Sequence, residues 1–165
     1  MKDVTKTSTL SGIMDKDSDV LWGIGNIDEA NSFIGLAKVF SKNKRVRSIL
    51  EEIQSVMFEA GTEFAQGGRF KEKNYEKILK IIDEIEKIVE KPKKFIVLEK
   101  NKETAFLSVA RSVVRRCERE AVGLFRKGKI SETVVKWLNK LSYLLYLLIL
   151  LEMRVVEDES INSTD

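Results

Sequence analysis

Apolar residues recur every three or four positions along several long stretches of this chain, most clearly over residues 44–66. The apolar positions there are Val46, Ile49, Leu50, Ile53, Val56, Met57, Ala60 and Phe64. This spacing places one continuous apolar stripe on an α-helix and does not fit the alternation of a β-strand. Gly67 and Gly68 end the stretch, because glycine accepts the left-handed conformation common after a helix. An amphipathic helix is stable mainly when its apolar face is packed, so the period predicts a helical bundle.

Four further segments share this period and predict helices over about 26–40, 74–90, 102–126 and 131–155. Asn26 with Glu29 three positions later fits a capping box at the start of a helix, and Pro92 ends the third segment. The first helix is apolar on two sides, and the fifth is apolar nearly all round from Leu144 to Leu151. Both are therefore expected at the bundle centre or in a subunit interface. The predicted fold class is all-α, an antiparallel five-helix bundle.

The segments outside these helices are expected to be irregular or extended. Residues 1–25 show no sustained period and are interpreted as an N-terminal arm, ahead of a helical bundle at 26–155. KKFIVLEK at 93–100 is interpreted as an extended connection, because no partner strand is evident. The polar residues 156–165 are expected to be a frayed tail. A chain of 165 residues fits one domain over 1–165.

Composition excludes several classes of site. The chain has no histidine and one cysteine, so imidazole bases, cysteine-cluster metal sites and intrachain disulfides are excluded, and no protein metal ligand is expected. A net charge of +3 is too small to indicate nucleic-acid binding. The start lacks a signal-peptide core, and the longest apolar run, YLLYLLILL, is far shorter than the about 20 residues of a membrane span. A cytoplasmic protein with no membrane partner is expected.

The most unusual stretch is VARSVVRRCERE at 109–120, in the fourth predicted helix. Arg111, Arg115, Glu118 and Arg119 share one edge of that helix, beside its apolar stripe. Such a row of guanidinium groups suits a polyanion such as triphosphate. It equally suits a structural ion-pair network between helices or subunits, with Glu118 and Asp28 as candidate partners. The spacing leaves both interpretations open.

Two other segments carry polar groups that could bind a ligand. Asn139 lies in an apolar part of the fifth helix, where a buried amide requires a hydrogen-bond partner from another helix or from a ligand. TKTSTLSG at 5–12 offers hydroxyl and backbone N–H groups suited to phosphate, without the glycine spacing of a P-loop.

Taken in this order, the segments resemble the corrinoid adenosyltransferases of the propanediol-utilisation type, which make adenosylcobalamin from ATP and reduced cobalamin. The resemblance runs from TKT at 5–7 to WLNKLS at 137–142, and includes GNIDEANSFIGLA at 25–37 and KKFIV at 93–97. It implies a ferritin-like five-helix bundle that assembles as a homotrimer, with active sites between subunits. ATP and cob(I)alamin would be the substrates, Mg²⁺ would accompany ATP, and an adenosylcobalamin-dependent acceptor enzyme would be a partner.

The resemblance also implies a role for each matching residue. Those that would contact ATP are Arg115 and Asn139, with Thr5, Lys6, Thr7 and Lys16 from the arm. Arg111 would pair with Asp28 across the interface, and Glu118 would orient the arginines. Phe95 would stand at the lower face of the corrin and displace the axial base of cobalt, which makes Co(II) easier to reduce. No side-chain base is implied, because cob(I)alamin itself attacks C5′ of ATP and expels triphosphate.

Several positions depart from the family pattern. Ser8 and Thr9 stand where a Gly-Asp pair is usual, and residues 98–100 replace a Pro-Gly-Gly segment. Trp22 occupies a position that is usually acidic, and Ser108 one that is often histidine. The altered arm favours an alternative function, a non-catalytic relative that binds ATP or adenosylcobalamin and passes it on. A purely structural bundle is the third interpretation.

Overall fold

The computed structural model describes residues 3–9 and 11–162, with side chains described as far as residue 154. Its elements are β1 (Lys6–Thr9), β2 (Gly12–Asp15), α1 (Asp19–Phe40), α2 (Lys44–Gln66), α3 (Glu72–Glu86), α4 (Lys102–Arg126) and α5 (Glu132–Asn162). The predicted all-α, five-helix class is confirmed. The arm adds an unpredicted antiparallel hairpin, in which β1 pairs with β2 and Thr7 lies opposite Met14.

The helix α5 forms the centre of the bundle. It packs against α3 and α4, while α1 packs against α2 and α4. Every residue from Leu144 to Leu151 except the half-buried Tyr146 is buried, as the apolar surface of this stretch predicts. Residues Glu132–Arg154 have the length and the mean hydropathy, 1.5, of a membrane-spanning helix, although no single apolar run is that long. Within this stretch, 67% of an 18-residue apolar window is buried by the rest of the protein, so its high hydropathy is that of a core helix.

The first helix begins at Asp19, so the predicted start at Asn26 is wrong. Residues 19–25 show no sustained apolar period, but they are helical and Gly23 is a buried position in α1. A Cβ atom on Gly23 would lie 2.7 Å from the ring of Phe64 and 2.9 Å from Leu124. Glycine is therefore needed there for close packing of α1 on α2 and α4, and it does not mark a flexible joint.

Two other helix boundaries differ from the prediction. The helix α3 ends at Glu86, four residues before the predicted end at residue 90. Residues 87–101 contain no helix or strand in this fully described stretch, and they include the extended connection expected at 93–100. Val89 is still buried, because the connection folds back against the core. The helix α5 continues through 156–162, where a frayed tail was predicted; residues 163–165 of that tail lie outside the described part of the chain.

A buried carboxylate, Glu152, joins the end of α5 to the turn between α1 and α2. It accepts hydrogen bonds from the Ser41 hydroxyl (2.5 Å) and from the backbone N–H groups of Lys42 (2.6 Å) and Asn43 (3.3 Å). These groups precede the first turn of α2, where a negative charge also interacts favourably with the helix dipole. Glu152 therefore has a structural role.

The single cysteine is expected to be unreactive in the folded protein. Cys117 is fully buried, and its thiol donates to the carbonyl oxygen of Asn26 at 2.8 Å. Burial raises the pKa of this thiol to about 12, despite the nearby Arg116. Because the thiolate is the reactive species, a fraction on the order of 10⁻⁴ at pH 8 leaves little to react. A chromogenic disulfide reagent should label one thiol per chain in denaturant and almost none in buffer; rapid labelling in buffer would contradict the burial.

Candidate functional site

One cleft of about 810 Å³ brings together Phe95, Arg111, Arg115 and Asn139 from the residues singled out in the sequence. We call it cleft 1. It is lined by Pro92, Lys94, Phe95, Ile96 and Leu98 of the connection, Arg111 and Arg115 of α4, and Asn139, Lys140, Ser142, Tyr143 and Tyr146 of α5. Three segments that are far apart in sequence therefore meet here, including three of the four positions interpreted as catalytic.

The lining of cleft 1 has two chemical sides. One carries four cationic side chains, Lys94, Arg111, Arg115 and Lys140, and no carboxylate belongs to the described residues that line the cleft. The other is apolar and aromatic. Phe95 is fully exposed, and the rings of Tyr143 and Tyr146 stack with centroids 6.4 Å apart. Cationic and aromatic surfaces in one concave site suit a ligand that combines phosphate charge with a large apolar ring system.

The structure separates the arginine row into groups with different surroundings. Arg116 forms an ion pair with Glu29 of α1, so the structural interpretation applies to this arginine. The guanidinium of Arg111 lies 5.9 Å from the ring centroid of Tyr146, a cation–π distance. Arg115 and Arg119 form no ion pair with any described side chain, and Arg115 is exposed along cleft 1. Arg115 is therefore available to a polyanion.

Asn139 is exposed and not buried, because its side of α5 faces cleft 1 and not the core. Its side-chain amide donates to Oε1 of Glu118 at 2.7 Å. The resemblance assigned Glu118 to the arginines, but within the described residues its hydrogen-bond partner is Asn139. Glu118 of α4 thus orients the side-chain amide of Asn139 on α5. Because Asn139 lines cleft 1, this hydrogen bond also fixes part of one wall of the cleft.

A second cleft, of about 860 Å³, lies between the hairpin, α1 and α2. We call it cleft 2. Its polar lining includes Thr7, Ser8 and Thr9 of β1, together with Asp28 and Asn31 of α1. The side-chain oxygen of Asn31 is buried without a hydrogen-bond partner among the described residues. The Ser11 hydroxyl donates to the carbonyl oxygen of Ala65, which fastens the hairpin beside this cleft.

The two clefts share no lining residue, so one protomer does not bring all the predicted site residues together. Asp28 lines cleft 2, whereas Arg111, its expected partner, lines cleft 1. Of the arm residues interpreted as ATP ligands, only Thr7 reaches either cleft. Lys6 borders a smaller cavity with Asp15, and Thr5 and Lys16 are exposed and joined by a backbone hydrogen bond of 2.8 Å.

Neither cleft contains a ready-made metal cage. No three Asp, Glu or Cys side chains cluster suitably for a metal ion in the described part of the chain, and Asp28 is the one carboxylate that lines either cleft. Mg²⁺ is commonly held by one or two carboxylates together with phosphate oxygens of a substrate. These residues fit a magnesium ion that arrives with a nucleotide, with Asp28 as a carboxylate near it.

The residues of cleft 1 that the sequence analysis did not assign to a site include Lys94, Lys140 and Tyr143. Tyr143 had a usable signal, since it lies four residues after Asn139 and therefore on the same face of α5. Lys94 and Lys140 had none, because lysines are common on exposed surfaces.

Comparison with known proteins gives a consistent family. The family model described as "Cobalamin adenosyltransferase" matches residues 1–152. The corrinoid adenosyltransferase of Bacillus subtilis (strain 168) is 34% identical over 149 residues, which cover 85% of this chain and 77% of that protein. The corrinoid adenosyltransferase of Citrobacter freundii is 28% identical over 141 residues, which cover 81% of this chain and 80% of that protein.

Solved structures agree with the sequence comparisons. A variant PduO-type ATP:corrinoid adenosyltransferase from Lactobacillus reuteri, complexed with cobalamin and ATP, superimposes with a TM-score of 0.82 at 27% identity. The match covers 93% of this chain and 91% of that one. A second variant of this type from the same organism, complexed with ATP, gives a TM-score of 0.80 at 28% identity, covering 88% and 87% of the two chains.

Proposed function

Because this chain belongs to the cobalamin adenosyltransferase family, we propose that clefts 1 and 2 are the two halves of its active site, completed where protomers meet. The enzyme transfers the 5′-deoxyadenosyl group of ATP to cobalamin. The observation that supports the location is cleft 1 itself, where exposed Phe95 and Arg115, which has no ion-pair partner among the described residues, face one concavity. The phosphates of ATP would bind on its cationic side and the corrin on its aromatic side.

The residues of cleft 1 supply binding and charge, while the reactive centre belongs to the substrate. Reduced cobalt attacks C5′ of ATP and displaces triphosphate, so the protein has to orient C5′ and stabilise the leaving charge. Arg115 stabilises that charge, and Asn139, held by Glu118, orients the nucleotide. Phe95, on the apolar side, keeps water and the axial base away from cobalt. This division of labour needs no histidine and no side-chain base.

An oligomer is supported by the surface of α1 and α2. Trp22, Val39 and Phe58 are 62%, 73% and 70% exposed, and a subunit interface on these helices would cover them. A cyclic homotrimer would bring cleft 2 of one protomer against cleft 1 of the next, and it would let Asp28 meet the Arg111 of its neighbour. Such an arrangement joins the arm, with Thr7, to the arginines.

Three further features of the proposal concern conditions and partners. Mg²⁺ enters with ATP and is held mainly by the phosphate oxygens, with Asp28 nearby. The protein is proposed to be soluble and cytoplasmic, where ATP and cellular reductants are available. The product is used by an enzyme that depends on adenosylcobalamin, to which the exposed face of the trimer would deliver it.

The direct test of function is an anaerobic assay with ATP, Mg²⁺ and chemically reduced cobalamin. Formation of adenosylcobalamin is expected, followed by the change in visible absorbance as the cobalt–carbon bond forms. Tight binding of adenosylcobalamin without turnover by a folded oligomer would instead indicate a carrier.

Mixing two inactive variants tests whether the active site lies between protomers. Asp28→Asn damages cleft 2 and Arg115→Ala damages cleft 1, so each homotrimer should be nearly inactive. After subunit exchange at equal amounts, about one quarter of the interfaces combine two intact halves, and activity should rise to about one quarter of wild type.

Native mass spectrometry provides the control, because it shows whether mixed trimers have formed. Arg115→Ala mixed with wild type under the same conditions measures any effect of exchange itself. Mixed trimers that remain inactive would place the complete site within one protomer and contradict the proposal.

A further inference from the structure

Three polar side chains from separate segments meet beside cleft 1. The Tyr143 hydroxyl of α5 donates to Oε1 of Glu86, the last residue of α3, at 2.5 Å. The ammonium of Lys91, in the connection, donates to the same oxygen at 2.8 Å and to the Tyr143 oxygen at 3.3 Å. The hydrogen bond from Lys91, followed by that from Tyr143, lowers the pKa of Glu86 below its ordinary value. The carboxylate is therefore charged at neutral pH.

This cluster lies at the point where the connection enters cleft 1. Lys91 directly precedes Pro92, the first of the residues that line the cleft from 92 to 98, which we call the Phe95 segment. The ring of Tyr143 is part of the opposite wall. The cluster thus joins the start of the Phe95 segment to the helix it faces, and no residue assigned to catalysis above belongs to it.

The Phe95 segment has few other attachments. At its far end, the Ser108 hydroxyl donates to Glu99, and Asn101 and Thr104 form a capping box at the start of α4. Upstream of Lys91, Arg154 donates to the carbonyl oxygen of Ile88. The described side chains of 92–98 make no hydrogen bond or ion pair themselves, and residues 95–97 are exposed. Leu98, at the far end of the segment, packs against the core. The position of Phe95 is therefore set mainly by what holds the two ends.

We propose that Tyr143, acting through Glu86 and Lys91, is a positioning residue that fixes the Phe95 segment for binding of the corrin. This inference rests on the proposed binding of cobalamin in cleft 1. A segment held in place before binding loses less conformational freedom when the ligand arrives, which favours affinity. The residues proposed to bind the nucleotide should be unaffected. Arg115 and Asn139 project from helices α4 and α5, so their positions do not depend on the Phe95 segment.

The test uses Tyr143→Phe, which keeps the aromatic wall and removes only the hydroxyl. The KM and Kd for cobalamin are expected to rise about 3- to 10-fold, while the KM for ATP stays within about 2-fold of wild type. Since Phe95 is proposed to displace the axial base, the fraction of bound cob(II)alamin that is four-coordinate should also fall, measured by absorbance or electron paramagnetic resonance. A purely structural role would change neither the KM for cobalamin relative to the KM for ATP nor the four-coordinate fraction of bound cob(II)alamin.

A double-mutant cycle tests whether the three groups act together. Lys91→Met should reproduce the cobalamin effect of Tyr143→Phe, and the double variant should be little worse than either single one, because both remove the same connection. Lys87→Met is the matched control. It breaks an ion pair with Asp83 of 2.6 Å near the same end of α3, away from cleft 1, and cobalamin binding should be unchanged.

The outcomes separate this inference from the proposed function. Three results would each overturn the positioning role. They are an equal rise in the KM for ATP and for cobalamin, additive effects of Tyr143→Phe and Lys91→Met, and an unchanged affinity for cobalamin. A wild-type protein that binds cob(II)alamin without forming adenosylcobalamin would refute the catalytic function, and its binding titrations would still decide the role of Tyr143. No binding of cobalamin by the wild type would overturn both.

Discussion

Replacing Arg115 by alanine is expected to lower kcat/KM for adenosylcobalamin formation by about 10²- to 10³-fold, the usual effect of removing one group that stabilises transition-state charge. Arg115 is the member of the arginine row that lines cleft 1 without an ion pair or ring contact from another described side chain. Its charge is therefore free for the departing triphosphate, whose negative charge increases as the C5′–O bond breaks. Initial rates with saturating cobalamin and varied ATP would measure the loss.

Two variants show which property of Arg115 matters. Arg115→Lys keeps the charge but loses the planar fork, and should have an intermediate rate. Arg126→Ala is the matched control. Arg126 is an exposed arginine of the same helix, and it lines neither cleft 1 nor cleft 2. Its rate should equal that of the wild type. Wild-type rates for Arg115→Ala in a folded oligomer would refute the assignment of the phosphate side.

Glu63→Ala is expected to destabilise the fold by about 3–5 kcal/mol, the sum of several buried donors left without partners. Glu63 is fully buried at the end of α2. One of its oxygens accepts from the backbone N–H groups of Arg69 and Phe70, the latter at 2.8 Å, and the other accepts from Ser131 at 2.7 Å. A single carboxylate thereby holds the α2–α3 turn and the start of α5. The midpoint of thermal unfolding should fall by about 10 °C.

The control for Glu63 is Glu51→Ala, an exposed glutamate on the same helix, which should change stability by less than about 0.5 kcal/mol. Chemical denaturation monitored by circular dichroism at fixed protein concentration measures both variants. Equal stabilities for the two variants would show that the buried hydrogen bonds of Glu63 do not support the junction.

The same residue predicts how stability depends on pH. Burial raises the pKa of Glu63, but the hydrogen bonds from Ser131, Phe70 and Arg69 outweigh it and hold the pKa below the ordinary value of 4.5. The charged form of Glu63 therefore stabilises the fold fully above pH 4.5. This stabilisation is lost as the pH falls through the lower pKa that Glu63 has in the folded protein. Glu63→Gln lacks this titration, so its stability deficit relative to wild type should shrink at acidic pH. A deficit that grows on acidification would contradict the sign.

The helices illustrate what local pattern can predict. The bounds of α2 agree with the prediction because its apolar stripe and its terminal glycines are both signals within one segment. The start of α1 was missed because the role of Gly23 depends on Phe64 and Leu124, which belong to other helices. A glycine at a tight helix contact and a glycine in a loop look alike in one sequence.

The resemblance to a known family proposed the candidate site residues, which spacing alone did not. The arginine row by itself left a structural network and a phosphate site both open. The structure pairs Arg116 with Glu29 and shows no ion pair of Arg115 with a described side chain. The contact of Tyr143 with Glu86 joins residues 57 positions apart, and no periodicity connects them. Such contacts depend on how α3 and α5 cross.

The sequence by itself determined the helical period, the number of helices, the absence of histidine chemistry and, through its motifs, the family. Only the tertiary structure decided which charged side chains face water and which face a cleft. It also decided which, like Glu63 and Glu152, lie buried and accept hydrogen bonds from backbone N–H groups between helices. The physical reason is that periodicity reports a residue's direction from its own helix axis. Burial and hydrogen bonding depend on the neighbouring helix that meets it, and that neighbour is distant in sequence.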